Sequence, residues 1–247
     1  FQKIAPSCEY VEAQDFLPEL MTIKSLAEVE VMRKSAHILD AALAAVMENA
    51  KEGITENALA GLAMEAFFRK GGSTAHLPMA LGSGPRAGLK HAPPTDRKLQ
   101  KGEIVFSDQL GYYMGYANDA SRGRVVGQPN KEQKDFLEAQ MTIIERCMAA
   151  MRPGVRIKDI GKIAAESAKE LKVEQWFYFR GHGIGTLSHV PPSVNPENEM
   201  ALEENMVIAF EPMLVRYEFG AAVVENTLWV TANGVESLNE CPWRWWD

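Results

Sequence analysis

The chain has 247 residues, 46% hydrophobic and 24% charged, with a net charge of −7. That balance is the one of an ordinary globular protein, large enough for one sizeable core or two smaller ones. The acidic excess argues against a nucleic-acid partner, which needs a basic surface, and no run approaches 18 apolar residues, so no membrane partner is expected.

Residues 1–22 are mixed and punctuated by prolines, as in a linker or edge segment, and "FQKIAPSCEY" carries neither an initiator Met nor the apolar centre of a signal peptide. Residues 1–22 therefore read as a linker or remnant after a preceding domain, and 23–247 as the main domain. A helix is predicted from Ser25, where Ser25 and Glu28 form a capping box. Val29, Met32, Ala36, Leu39, Leu43 and Val46 recur along it at helical spacing. His37 on this helix, with Asp40 alone for company, reads as a surface or packed residue. A second helix is predicted over about Thr55 to Arg69, stopped by Gly71-Gly72. His76 reads as structural. The stretch "MALGSG" is strand-like, and "EIVFSDQLGYYMGYANDASRGRVV" reads as a hairpin turning near Met114-Gly115. Helices return at about Lys131 to Met151 and Lys158 to Leu171, and strands at "VIAFEPMLV" and "AAVVENTLWVT". Three scattered cysteines, Cys8, Cys147 and Cys241, with no CxxC, suggest reduced thiols in a cytoplasmic protein. The ending "CPWRWWD" is expected to pack back on the domain or on a partner subunit.

The order of two helices, then strands, occurs twice, and the two copies align. Gly53 falls against Gly154, His91 against His189, Asp108 against Glu211 and Asp119 near Glu225, at offsets of 98 to 106 residues. Each equivalent pair is acid with acid or histidine with histidine. A duplicated ααββ unit packed about a pseudo-twofold would bring these pairs together near the axis.

Carboxylates are rarely buried unless paired with cations. Asp108 follows Ile104-Val105-Phe106, and Glu211 follows a run ending in Ala209-Phe210, so both emerge from strands that read as buried. Acids converging there repel one another unless a metal neutralises them. A divalent cation with oxygen ligands and an imidazole fits, and four carboxylates suit two ions. The stretch "FRGHGIGTLSHVPPSV" (179–194) supplies His182 and His189, seven residues apart. An odd separation on a regular strand points them to opposite faces, so both serve one site only if the chain bulges or turns between them. Gly84 stands opposite His182 in the repeat, which leaves His182 unmatched and suited to ligation. His189 and His91 are matched and would flank the site as substrate and oxyanion contacts. "GHGIG" lacks the Lys-Ser/Thr of a phosphate loop.

The segments "FSDQLGYYMGYANDASR", "GHGIGTLSHVPP", "AFEPM" and "VVENTLWVT" resemble the signature segments of the pita-bread metallohydrolases: methionine aminopeptidase, aminopeptidase P, prolidase and creatinase. The resemblance covers about residues 22 to 240. "GPRAGLKHAPPTDRKLQKGE" and the 14 residues from Glu211 to Glu225 are most like the Xaa-Pro peptidase branch. It implies an α+β pita-bread fold, two pseudo-twofold-related ααββ halves with a curved antiparallel sheet covered by helices, over 23–247. It also implies Asp108, Asp119, His182, Glu211 and Glu225 as ligands of two divalent ions (Mn, Co, Zn or Fe). Asp119 and Glu225 would bridge; Asp108 would complete one site, and His182 with Glu211 the other. A homodimer is implied as well. The chain departs from the family at Leu110, where Gly is usual, at Val190, where Glu is frequent, and at Val223, where proline-specific relatives often carry Arg.

The expected activity is a Xaa-Pro aminopeptidase- or dipeptidase-like hydrolysis in which a metal-bridging hydroxide attacks an amide near a peptide N-terminus. Glu211 would shuttle the proton, while His189 and His91 would be catalytic and substrate-binding contacts to the oxyanion and leaving side. Two alternatives stand beside it: the same metal site acting on a small non-peptide molecule, by hydrolysis or elimination, and a non-catalytic binding module of the same fold.

Overall fold

A computed structural model describes residues 2–11, 13, 16–75, 80–89 and 91–246. His76 and Met79 lie outside the described residues. A short helix α1 (Leu17–Thr22) precedes the first long one, so part of the segment read as linker is helical.

The first half begins with α2 (Leu26–Asn49), opened by the capping box between Ser25 and Glu28 that the sequence predicts. α3 (Glu56–Arg69) is capped by the Thr55 hydroxyl. Ile38, Leu39 and Leu43 of α2, and Leu59, Ala63 and Phe67 of α3, close over Leu81, Val105 and Ala120 of the sheet beneath. That sheet is antiparallel. β3 (Ile104–Tyr113) pairs along one edge with β4 (Tyr116–Val125) and along the other with β1 (Thr74–Ala75) and β2 (Ala80–Ser83). The hairpin turns on Met114 and Gly115, both at positive φ (49° and 82°), the conformation of a two-residue turn that matches strand twist.

The second half repeats the plan. α4 (Lys131–Ala150) and α5 (Ile157–Glu170) bury Phe136, Leu137, Ile143, Ile157, Ile160 and Ala164 against Ile208, Phe210, Leu214 and Leu228. Here the long strands expected from the sequence are each broken in two. β8 (Val207–Phe210) and β11 (Asn226–Val230) belong to a five-stranded antiparallel sheet with β6 (Gly181–Gly183), β7 (Val190–Val194) and β12 (Val235–Ser237), in the order β12-β11-β8-β6-β7. β9 (Met213–Arg216) and β10 (Gly220–Val223) continue the same chains into a three-stranded sheet with β5 (Phe177–Tyr178).

The duplication is visible in individual hydrogen bonds. Gly53 N–H donates to the Leu99 carbonyl at 2.9 Å, and Gly154 N–H to the Leu202 carbonyl at 2.8 Å. Both glycines have positive φ, 89° and 86°, where a side chain would be strained. Four residues on, Asn57 N–H donates to the Thr95 carbonyl, and Lys158 N–H to the Asn198 carbonyl, both at 2.9 Å.

The tail packs back on the domain. Trp245 is buried, its ring lies over Gly123, and its carbonyl accepts from Val125 N–H. A Cβ at position 123 would stand 2.0 Å from that ring, so only glycine lets the indole this close to β4.

Candidate metal centre

Asp108 sits on β3 and Asp119 on β4, and the hairpin register pairs Asp108 with Ser121. Since strand side chains alternate between faces, Asp119, two residues from Ser121, shares the face of Asp108. The two acids are diagonal neighbours. In the second hairpin, Phe210 pairs with Asn226 and Met213 with Val223. One register therefore runs through both ladders and sets Glu211 directly opposite Glu225, at the step between them.

The break in the strands is where their backbone donors leave the hairpin. Glu225 N–H donates to the Ser121 carbonyl at 3.1 Å, and Glu211 N–H to the Arg180 carbonyl at 3.2 Å. The second hairpin is thus spliced onto β4 of the first, next to the acids. The Thr227 hydroxyl reinforces the splice by donating to the Asp119 carbonyl at 3.0 Å. Arg122, fully buried, donates to the carbonyls of Glu225, Ser121 and Cys241 and to Asn226 Oδ1. Burial holds its guanidinium below its usual range; four oxygen partners make the charge tolerable there.

His182 lies on β6 between Ala209 of β8 and Ser193 of β7, and the register shifts immediately after it. That irregularity satisfies the condition set by the odd spacing. The rings of His182 and His189 stack, with centroids 3.8 Å apart and planes at 21°. Nδ1 of His182 lies 3.0 Å from the Gly183 carbonyl, and a carbonyl can only accept. Nδ1 therefore carries a proton and donates, and Nε2 stands 3.7 Å from Asp119 Oδ2. A ring anchored through Nδ1 in this way leaves Nε2 as the atom that can ligate a metal.

Asp119, His182 and Glu225 bring one donor atom each to within 4.8 Å of one another, and all three are buried. Asp119 and His182 are 7% exposed, Glu211 3% and Glu225 1%. Burial first, then the charges of Asp119, Glu211 and Asp108 in that order, push the Glu225 carboxyl well above its usual range, against the hydrogen bond from Ser121. All four acids are close enough for Glu225 to sense the other three. An oxygen-rich set with one imidazole, whose acids oppose each other's ionisation, fits a divalent cation.

Three groups around this centre escaped the sequence reading. Arg180 Nε donates to Glu211 Oε1 at 3.1 Å; the only sequence signal was one cation set into the aromatic run "FYFRGHG". The Ser121 hydroxyl donates to Glu225 Oε2 at 2.6 Å. Glu56, wholly buried, accepts from the backbone N–H and hydroxyl of both Ser83 and Thr95 and from Arg86 Nε. It ties down the ends of the loop that carries His91, though in sequence it looks like an ordinary acid in a helix's first turn. His91 itself is exposed, at φ 64°, with Nε2 3.8 Å from Asp108 Oδ2. His37 is a surface residue 3.5 Å from Glu240. Among the described residues all three cysteines are free thiols, and no helix is long and apolar enough to cross a membrane.

The sequence profile of metallopeptidase family M24 matches residues 30–232. The chain belongs to this family. It is 30% identical over 233 residues to the Xaa-Pro dipeptidase of Pyrococcus furiosus, an alignment covering 94% of this chain and 67% of that one. It is similar to the crystal structure of dipeptidase PepE from Mycobacterium ulcerans, with a TM-score of 0.90 and 31% identity over 96% of this chain and 64% of that one. The X-Pro aminopeptidase of Thermotoga maritima shares the fold, with a TM-score of 0.93 at 23% identity, covering 99% of this chain and 70% of that one. The chain thus spans about two thirds of the length of these relatives. The two ααββ halves are those of the pita-bread fold of the M24 family. Of the departures from the family pattern, Val190 and Val223 are buried and apolar; Val223 packs with Phe106, Met213 and Ala221.

Proposed function

We propose that this M24 chain is a dinuclear-metal peptidase that cleaves an amide near the N-terminus of a short peptide, of the Xaa-Pro dipeptidase or aminopeptidase kind. The observation that carries this reading is the convergence of Asp119, His182 and Glu225 within 4.8 Å at a buried point where Glu225 also senses Asp108 and Glu211. Asp108, Asp119, His182, Glu211 and Glu225 would hold the ions. A bound divalent pair supplies Lewis acidity and brings the pKa of water toward neutrality.

The side chains do the rest. Glu211 accepts the proton that the attacking water gives up and returns it to the leaving nitrogen. Arg180, bonded to Glu211 Oε1, fixes the orientation of that carboxylate. His189, stacked on His182, and His91, beside Asp108, reach the substrate from solvent-facing positions and stabilise the developing oxyanion. The free, buried thiols of Cys147 and Cys241 suit a reducing compartment, and the family's partner is a peptide.

Elemental analysis of the purified chain should find two divalent ions per chain. Glu211→Gln should lower kcat on Xaa-Pro dipeptides by about 100-fold or more. Full turnover in that variant, or a chain that binds no metal, would reject the reading. A panel of small non-peptide amides tests the second use of the same centre.

A further inference from the structure

An open cleft of about 580 Å³ adjoins the metal centre, with Tyr178, Phe179, Arg180, Met213, Val215 and Tyr217 on its walls. Its connection to the centre is covalent and short: Met213 is two residues beyond Glu211, and Arg180 is bonded to Glu211. The walls are aromatic and aliphatic, and Arg180 is the one charged residue among the described residues that line them.

The guanidinium uses only Nε on Glu211. Its two terminal nitrogens have no partner among the described residues, and the side chain is 43% exposed, towards this cleft. Val223, whose place could have supplied a charge from the other side, is buried in the apolar cluster with Met213 and Ala221. A guanidinium held by one edge presents the other edge as a planar pair of donors, the geometry that a carboxylate accepts two-pronged.

We propose that Arg180 is a specificity-determining residue that anchors the free α-carboxylate of the substrate, and that the residue bearing this carboxylate is apolar or aromatic and lies against Tyr178, Met213 and Tyr217. This deepens the peptidase reading and rests on it. The spacing bears on substrate length. One residue spans about 3.5 Å, and Arg180 touches the Glu211 carboxylate, so a carboxylate on its open edge leaves room for a single residue beyond the scissile amide. The substrate class is then a dipeptide with a bulky apolar C-terminal residue, and a longer or amidated peptide is a poor substrate.

The test uses the metal-loaded chain and two pairs of probes. Binding is measured calorimetrically with N-acetylphenylalanine and its amide, and kcat/KM with Ala-Phe and Ala-Phe amide. The acid should be preferred by about 10- to 100-fold in each pair, the range of a charge-assisted bond. Arg180→Gln should bring the ratio close to 1, and Arg180→Lys should restore part of it. Equal affinity for the acid and the amide in the parent chain overturns the assignment. So does a ratio unchanged in Arg180→Gln while both substrates slow equally, because Arg180 would then only orient Glu211. An intact binding preference in a chain that turns over neither peptide would reject the peptidase reading and leave the anchor standing.

Discussion

The Ser121 hydroxyl donates to Glu225 Oε2 at 2.6 Å, so a residue of the first hairpin holds an acid of the second. Ser121 also pairs across β3 with Asp108 and offers its carbonyl to Glu225 N–H. One small residue touches both halves of the duplication at the point where their acids meet.

Ser121→Ala removes the hydroxyl and keeps the strand. With Glu225 as a ligand in the proposed centre, loss of this outer partner should weaken metal binding by about 10- to 100-fold. Calorimetric titration of the metal-stripped variant with Mn should show this loss while its circular dichroism is unchanged. Parent-like affinity would show that the hydroxyl does not orient Glu225.

The stacked histidines stand in different surroundings. His182 is buried with Nε2 facing Asp119, whereas His189 is exposed and bonded through Nδ1 to the Ser188 hydroxyl. His182→Gln should therefore lose metal, read by elemental analysis after dialysis. His189→Gln should retain metal and lose roughly 10- to 100-fold in kcat, the scale of a missing oxyanion donor or somewhat below it. Identical metal loss in the two variants would contradict this division.

Lys24 gives the fold a pH dependence of known sign. It is 4% exposed, with Nζ donating to the Thr22 carbonyl at 3.1 Å. Burial lowers its pKa from 10.5 to about 8, against the pull of Glu28. Between about pH 8 and 10.5 the unfolded chain binds more protons than the folded one, so stability rises with pH across that window. Below pH 8 the full cost of burying the charge is present, about 3 kcal/mol. Lys24→Met loses the Thr22 bond at every pH, but its difference from the parent isolates the charge. In urea unfolding the parent should gain roughly 2 kcal/mol on the variant between pH 7 and pH 10. A gap independent of pH would show that Lys24 is not titrating in this window.

The acids and histidines that converge at the candidate centre were legible in the sequence because duplication leaves a linear trace. Acids recur at matched places after buried strands, and a matched pair of histidines stands beside an unmatched one. The helix boundaries were legible for a local reason: the capping box of Ser25 and Glu28 and the cap at Thr55 are short-range chemistry. The positive-φ turn at Met114-Gly115 was legible for the same reason.

What the sequence hid depends on contacts between distant segments. "VIAFEPMLV" and "AAVVENTLWVT" read as continuous strands because hydrophobicity runs through them, yet each breaks at its acid as backbone donors leave for Ser121 and Arg180. Nothing in the sequence marks Arg122 or Glu56, and only packing shows them buried among four and five polar partners. Arg180 acquires its meaning only when β6 and β8 lie side by side and bring Glu211 to its Nε. Chain-local patterns determined which elements form and which side chains can bind a cation. The tertiary structure decided which of those side chains face one another, because register, strand breaks and burial arise between segments far apart in the chain.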